Sequence, residues 1–246
     1  MYKVPPASPE IYDALAPYYK HYSDNKSRYL ATIDRLLLAS LPIPSGRILD
    51  IGCGDGQRAT NLFAKTHASE IWMIDNSRRM YERARAFEGK GKKVFLLDML
   101  SDESSMLQDG YFDSAWCLWN VLGHVTRYSD RVKMVGTATR VLRKGGRLLI
   151  DVSNRYNFAY YGFKIAGKNV WEDMLRPNPD NGTVEYVIHA EGANIPSYCH
   201  FFNPNEIPNL AKLSGLTVRS ATFVNYESGN ITNRFSGHIF YVLEKE

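Results

Sequence analysis

The residues best placed to do chemistry stand at the ends of apolar runs. In RILDIGCGDG, which begins at Arg47, Asp50 precedes three glycines spaced two apart, Gly52, Gly54 and Gly56. Asp75 closes IWMID, and Asp98 closes VFLLD. Glycines at a strand-to-helix turn let a ligand approach the backbone closely, and the following helix offers unpaired N–H groups and its positive dipole end to an anionic group. The spacing G-x-G-x-G differs from the G-x-G-x-x-G of dinucleotide sites, which argues against a nicotinamide oxidoreductase. A carboxylate at the end of the second strand can accept both hydroxyls of a ribose, and one after the third can accept the exocyclic amine of adenine. Three acids at three successive strand ends therefore describe an adenosine pocket.

Strands and helices in alternation are needed to bring those residues together. From Arg47 the chain reads as strand 47–51, helix 57–66, strand 70–74, helix 77–87, strand 93–97, strand 112–118, helix 129–143 ending at Gly145-Gly146, and strand 147–152. Alternation of this kind makes an α/β, doubly wound, parallel sheet. Ahead of it, residues 1–45 read as a helical cap, with helical patterns through Ile11, Leu15 and Tyr18 and through Leu30, Ile33, Leu36, Leu37 and Leu41, closed by Pro42-Ile-Pro44. Residues 46–154 form the ligand-binding core. Residues 155–203, which hold RYNFAYYGF, RPNPDNG, TVEYVIHA and SYCHFF, read as an inserted lid or small antiparallel sheet. In 204–246 a helix near 204–214, opened by Asn203-Pro204, and strands 216–226 and 237–244 complete roughly seven strands. At 246 residues and 44% hydrophobic, 1–246 is read as a single domain.

Residues 45–154 resemble the class I S-adenosylmethionine-dependent methyltransferases. LDIGCGDG looks like their first motif, Asp75 like their ribose acid, Leu97-Asp98-Met99 like their adenine motif, and FDSAWCLWN and LRKGGRLLIDV like their fourth and fifth strands. The resemblance implies a Rossmann-like, mostly parallel seven-stranded sheet, with S-adenosylmethionine as cofactor and S-adenosylhomocysteine as product. It also implies that Asp50, Gly52, Cys53 and Gly54 hold the amino-acid part of the cofactor, Asp75 the ribose, and Asp98 and Met99 the adenine. Met80 would pack near the adenine or ribose, and Leu118 would lie beneath the sulfonium.

Methyl transfer from a sulfonium is an in-line displacement, and holding two reactants in line supplies ~7–11 kcal/mol, which leaves side chains little covalent work. An amine acceptor need only arrive neutral, whereas a hydroxyl usually needs a general base or a metal. After the fourth strand the chain reads WNVLGHV, without the Asn/Asp-Pro-Pro-Tyr/Phe of enzymes that methylate exocyclic amines of DNA bases or glutamine amides. Cys117 lacks the flanking proline of cytosine-C5 enzymes. Asn120-x-x-x-His124 resembles small-molecule N-methyltransferases acting on glycine or on nucleotide-linked aminosugars. That likeness implies a substrate contact for Asn120 and an orienting or basic role for His124. The glycine-type pattern also has an arginine two residues after the fifth strand's acid. Here Val152 and Ser153 follow Asp151 and the nearest arginine is Arg155, a departure that disfavours glycine itself and leaves Arg155 as a candidate substrate contact. His200, in YCHFFNPNEI, resembles the His or Tyr before F-x-P-x-E in related enzymes and is a second candidate base. Tyrosine is abundant, 16 of 246. Of these, Tyr18, Tyr22, Tyr156 and Tyr160 are expected to face the substrate, offering apolar surface, hydroxyls or ring faces for a cation.

The net charge of +4 lies within 47–154, where 17 Lys and Arg face 13 Asp and Glu, a bias too weak to favour a polyanionic substrate. Arg78, Arg79, Arg83, Arg85, Lys90, Lys92 and Lys93 stand against only Glu82 and Glu88, either as a solvated helix face or as a grip on RNA phosphates. Cys53, Cys117 and Cys199 follow neither a disulfide nor a zinc pattern, so no metal is expected. No stretch approaches about 18 uncharged apolar residues, and MYKVPPASPEIYDAL has no signal-peptide pattern, so a cytoplasmic protein with no membrane partner is expected. The combined expectation is an S-adenosylmethionine-dependent methyltransferase with a small-molecule acceptor, nitrogen favoured over oxygen. Its alternatives are an RNA or protein methyltransferase and a non-catalytic, cofactor-binding regulatory module.

Overall fold

The computed structural model describes residues 7–43, 45–190 and 192–246, so the opening MYKVPP and Pro44 of the expected helix stop lie outside the described residues. Five strands run parallel: β1 (Arg47–Ile51), β2 (Glu70–Asp75), β3 (Lys92–Leu96), β4 (Phe112–Cys117) and β5 (Leu142–Val152). Strands β6 (Thr183–Ala190) and β7 (Ala193–His200) form a separate hairpin, and β8 (Leu216–Val224), β9 (Ile231–Thr232) and β10 (His238–Lys245) return to the main sheet. Across that sheet the order is β3-β2-β1-β4-β5-β10-β8-β9, with β10 antiparallel to both neighbours. The seven expected strands are present. The eighth, β9, pairs only two residues with the end of β8 and is too short for a sequence pattern to reveal.

Helices cover both faces: α1 (Ser8–Leu15), α2 (Tyr19–Asp24), α3 (Ser27–Ala39), α4 (Gln57–Phe63), α5 (Arg78–Ala84), α6 (Tyr128–Val141), α7 (Phe158–Leu175) and α8 (Glu206–Leu213). Alternate strand residues point to opposite faces. Leu49 and Ile51 of β1 thus join Val135 and Ala138 of α6 and Leu210 of α8 on one side. Ile48 of the same strand joins Ile33 and Leu37 of α3 and Leu62 of α4 on the other. A third, smaller core lies above the sheet, where Ile11 and Leu15 of α1 meet Ile188, Ala190 and Ile195 of the hairpin.

Two departures from the sequence reading have local causes. Strand β5 begins at Leu142, ahead of Gly145-Gly146, because the paired register shifts between Phe112 and Ser114 and the ladder continues past the glycine turn. Residues 158–175, expected as part of a lid without a helix, form α7, capped by Asn157 and kinked at Gly162 (φ 75°, ψ 167°). Its only buried residue is Ala166, so its apolar side chains do not follow the inward-facing stripe that marks a helix in sequence.

The end of β5 is stapled to the start of β10. The buried Asn154 N–H donates to His238 Nδ1 at 3.0 Å, and its side-chain amide donates to Arg234 and Gly237 carbonyls at 2.8 and 2.9 Å. Burial pulls the His238 imidazole down from 6.5 to about 3. The unfolded chain therefore binds a proton that the folded chain refuses, and stability falls as pH drops from about 6.5 towards about 3. The urea midpoint should decrease from about pH 7 to about pH 5, and less steeply in His238→Gln. Equal slopes in the two proteins would show that this imidazole is not the cause.

Candidate active site

A cavity of about 370 Å³ lies at the carboxyl ends of β1 to β4. The strand order reverses there, between β1 and β4. Open α/β sheets bind their ligands at such a switch point. The chain leaves β1 through Gly52 and Gly54, both with left-handed backbone (φ 71° and 59°). A Cβ on Gly52 would lie 2.7 Å from both Val121 methyls, and one on Gly54 would lie 2.7 Å from the Tyr19 hydroxyl. Only glycine fits this close approach. The Gly52 and Cys53 N–H groups donate to the Ile74 carbonyl at 2.8 and 3.0 Å, and the Gly54 N–H donates to Asp75 Oδ2 at 2.8 Å. The turn is thus held to β2, and the cation on this wall is Arg58 of α4, 2.7 Å from Asp34.

Asp75 Oδ1 also accepts the Ser77 N–H at 2.9 Å, which leaves further carboxylate lone pairs for a ligand. Asp98 Oδ1 accepts from the Leu100 N–H at 2.8 Å. Burial raises Asp50 to about 7 and Asp75 to about 6. Asp50, Asp55, Asp75, Asp98 and Asp130 line the cavity against two guanidiniums, Arg58 and Arg127. An acidic wall of this kind favours a ligand carrying positive charge.

The opposite wall is aromatic and carries Tyr12 and Tyr19 from the N-terminal helices, Trp119 and His124 from the segment after β4, and Tyr198 from β7. The turn after β4 is built on Asp151 at the end of β5. Asp151 Oδ1 accepts the Trp119 N–H at 2.5 Å, Oδ2 accepts the Tyr29 hydroxyl at 2.8 Å, and the Asp151 carbonyl accepts the Asn120 N–H at 3.1 Å. Trp119 and Asn120 both have left-handed backbone (φ 57° and 59°). Beyond them, His124 Nε2 lies 2.8 Å from the Tyr12 hydroxyl, and its Nδ1 is buried. Burial pulls this imidazole down to about 4, so it is neutral at physiological pH, and raises the Tyr12 phenol well above its ordinary value.

Residues 48–146 match the family model described as Methyltransferase domain. Over 189 residues the chain is 30% identical to the ubiquinone biosynthesis O-methyltransferase of Aromatoleum aromaticum, an alignment covering 76% of this chain and 74% of that one. The chain belongs to the class I S-adenosylmethionine-dependent methyltransferases. The 27-O-demethylrifamycin SV methyltransferase of Amycolatopsis mediterranei is 33% identical over 46% of this methyltransferase and 41% of its own length. An S-adenosylmethionine-dependent methyltransferase structure from Methanosarcina mazei shares the fold with TM-score 0.63 at 17% identity, covering 85% and 96% of the two chains. S-adenosylmethionine is the cofactor of this methyltransferase, and the cavity fits it. The acidic wall suits a sulfonium, and the glycine turn leaves room that a Cβ would fill.

Eight of the nine residues expected around the cofactor line the cavity: Asp50, Gly52, Cys53, Gly54, Asp75, Asp98, Met99 and Leu118. Met80 is not brought there. It is fully buried, one turn into α5, and Asn76 lines the cavity in its neighbourhood instead. On the aromatic side only His124 arrives as expected. Asn120 Oδ1 accepts the Ser153 N–H at 2.9 Å, so its amide braces the turn and is absent from the lining. His200 is fully buried away from the cavity, with Nε2 2.7 Å from Glu206 and Nδ1 3.2 Å from Thr183. Arg155 is buried against Asp173 at 3.1 Å, Tyr156 donates to the same aspartate at 2.7 Å, and both anchor α7.

Tyr160 packs on Tyr226 and His238, and Tyr18 packs on the hairpin core. Tyr22 stacks on Trp119 at 5.3 Å, one ring removed from the cavity. The sequence reading missed Tyr12, Tyr19, Arg58, Trp119 and Tyr198. Continuing one helical face from Ile11 through Leu15 selects Tyr18, but a 3-10 turn at Ala16–Tyr18 breaks that phase and delivers Tyr19.

Two measurements test this wall. S-adenosylmethionine binding near pH 6.5 should release protons as the raised carboxyls of Asp50 and Asp75 ionise against a cation, seen as a buffer-dependent binding enthalpy. The release should shrink in Asp50→Asn, and proton uptake would contradict the assignment. Gly54→Ala should weaken S-adenosylhomocysteine binding at least about tenfold by calorimetry, since the left-handed backbone and the Tyr19 hydroxyl both oppose a methyl group there.

Proposed function

We propose that this methyltransferase transfers the methyl group to a hydroxyl of a small, largely apolar acceptor. In this reading Asp50 and Arg58 face the amino-acid part of the cofactor beside Gly52, Cys53 and Gly54. Asp75 takes the ribose, Asp98 and Met99 the adenine, and Leu118 lies at the sulfonium. S-adenosylmethionine supplies an electrophilic methyl on a positively charged sulfur, and that charge is lost on transfer.

The observation that carries the choice of acceptor is the Tyr12–His124 pair on the cavity wall. A hydroxyl acceptor needs a base. As the acceptor oxygen gives up its proton to Tyr12 Oη, that hydroxyl passes its own to His124 Nε2. The imidazole gains positive charge in the step that removes it from the sulfonium, so the net charge of the cavity is unchanged. That balance offsets the burial penalty that holds the imidazole at about 4. Tyr19, Trp119 and Tyr198 add ring surface for an apolar acceptor.

The sequence expectation of nitrogen over oxygen rested on the Asn120-x-x-x-His124 pattern, of which the Asn120 side-chain oxygen is taken up by the Ser153 N–H. The relatives' names support oxygen, being an O-methyltransferase of ubiquinone biosynthesis and a 27-O-demethylrifamycin SV methyltransferase. The RNA reading gains no support from the basic cluster. Arg78 pairs with Glu82, Arg85 with Glu88 and Lys93 with Glu70, while Arg79 and Arg83 donate to carbonyls of Asp13 and Ala16.

Methyl-labelled S-adenosylmethionine incubated with a cell extract should label the small-molecule pool, and label confined to RNA or protein would overturn the reading. On the identified acceptor, Tyr12→Phe should lower kcat by about 10²-fold with cofactor affinity kept. His124 titrates near 4, so kcat should be flat from about pH 5.5 to about pH 8. A kcat/KM that climbs towards an ammonium pKa would instead identify an amine acceptor.

A further inference from the structure

Helix α7 turns an apolar face away from the protein. Phe163, Trp171, Met174 and Leu175 are 84%, 65%, 75% and 58% exposed. At about 100° per residue, these positions fall within roughly 120° of arc on the helix surface. Phe158 extends the patch, with ring centroids 5.3 Å from Phe163 and 5.9 Å from Phe235, itself half exposed. Large contiguous apolar patches are uncommon on soluble monomers and mark interaction surfaces.

The charges on and beside this face are mostly basic. Lys164 lies within the same arc, Lys168 stands about 20° beyond its edge, and the exposed Arg176 and Arg234 stand at its ends. Of the acids of the helix, Asp173 turns inward to Arg155 at 3.1 Å, and Glu172 lies at the border, 3.5 Å from both Arg155 and Lys168. An apolar arc containing tryptophan, with lysines able to reach outward along their stems, matches a helix lying in a lipid headgroup region. Cationic rims of this kind complement anionic lipid.

The same helix begins next to the acceptor wall. The Tyr160 ring lies 5.6 Å from that of Tyr226, whose hydroxyl accepts from Trp119 Nε1 at 3.4 Å, and Trp119 lines the cavity. We propose that the outer face of α7 docks the methyltransferase on an anionic phospholipid surface, placing the acceptor side of the cavity where a lipid-soluble acceptor is supplied. The docking follows from the face itself, whereas the use made of it rests on the acceptor reading above. No helix among the described residues is long and apolar enough to cross a membrane, so the contact is with the surface.

The test is flotation of the full chain with vesicles of phosphatidylcholine alone and of an equal phosphatidylcholine–phosphatidylglycerol mixture. The chain should float with the mixture and far less with phosphatidylcholine, and added salt should release it. Phe163→Glu with Trp171→Glu, and separately Lys164→Glu with Lys168→Glu, should each weaken flotation at least about tenfold while S-adenosylhomocysteine still raises the melting temperature. Failure to float on either vesicle would overturn the proposal. So would equal flotation on both, or a dimer by light scattering that the Trp171 variant dissociates, since a second copy would then cover the face. Labelling of a water-soluble small molecule without flotation would sink the docking and leave the acceptor reading standing. Flotation with label only in RNA or protein would do the reverse.

Discussion

The aromatic side of the site depends on one buried carboxylate, Asp151. Its oxygens take the Trp119 amide and the Tyr29 hydroxyl, and its carbonyl takes the Asn120 amide. Those bonds hold two successive non-glycine residues in left-handed backbone, a conformation costing on the order of 1–3 kcal/mol each when unsupported. Everything downstream follows from that turn, which sets Val121 against Gly52, the Trp119 ring beside Tyr22, and His124 against Tyr12. Burial raises the Asp151 carboxyl, while Arg58 and the two donors pull it back towards the ionised form that can accept both bonds. One acid thereby couples the glycine-turn wall, through Arg58, to the aromatic wall.

The molecule divides its stability unevenly. Beneath the cavity the sheet is sandwiched between two extensive apolar cores. Above it, α1 and the hairpin share a core of only five fully buried side chains. The helix α7 has a single buried residue and is fastened mainly by the ion pairs and hydrogen bonds around Arg155 and Asp173. Elements with little buried apolar surface open at lower free energy than the sheet they cover. The result is a rigid cofactor platform under a more loosely held roof.

The sequence by itself determined the sheet and the cofactor wall. Asp50, Asp75 and Asp98 sit at the ends of strands whose apolar runs are unmistakable, and the sheet's topology brings successive strand ends together whatever the roof does. Met80 is not brought to the cavity, because position on a helix, unlike position at a strand end, leaves open which face meets the ligand. Apart from His124, the aromatic wall was decided only in three dimensions. Tyr12, Tyr19, Trp119, His124 and Tyr198 come from four separate segments, and each is aimed by a tertiary contact. The 3-10 turn at Ala16–Tyr18 rotates Tyr19 inward, and the Asp151 bonds fix Trp119. Asn120, Arg155 and His200 are kept from the cavity for the same reason. Their polar groups found partners in Ser153, Asp173 and Glu206, because a buried donor or acceptor is bound to whatever the fold places beside it. A strand end is a place the local pattern defines, whereas a side chain's partner is a property of the packed chain.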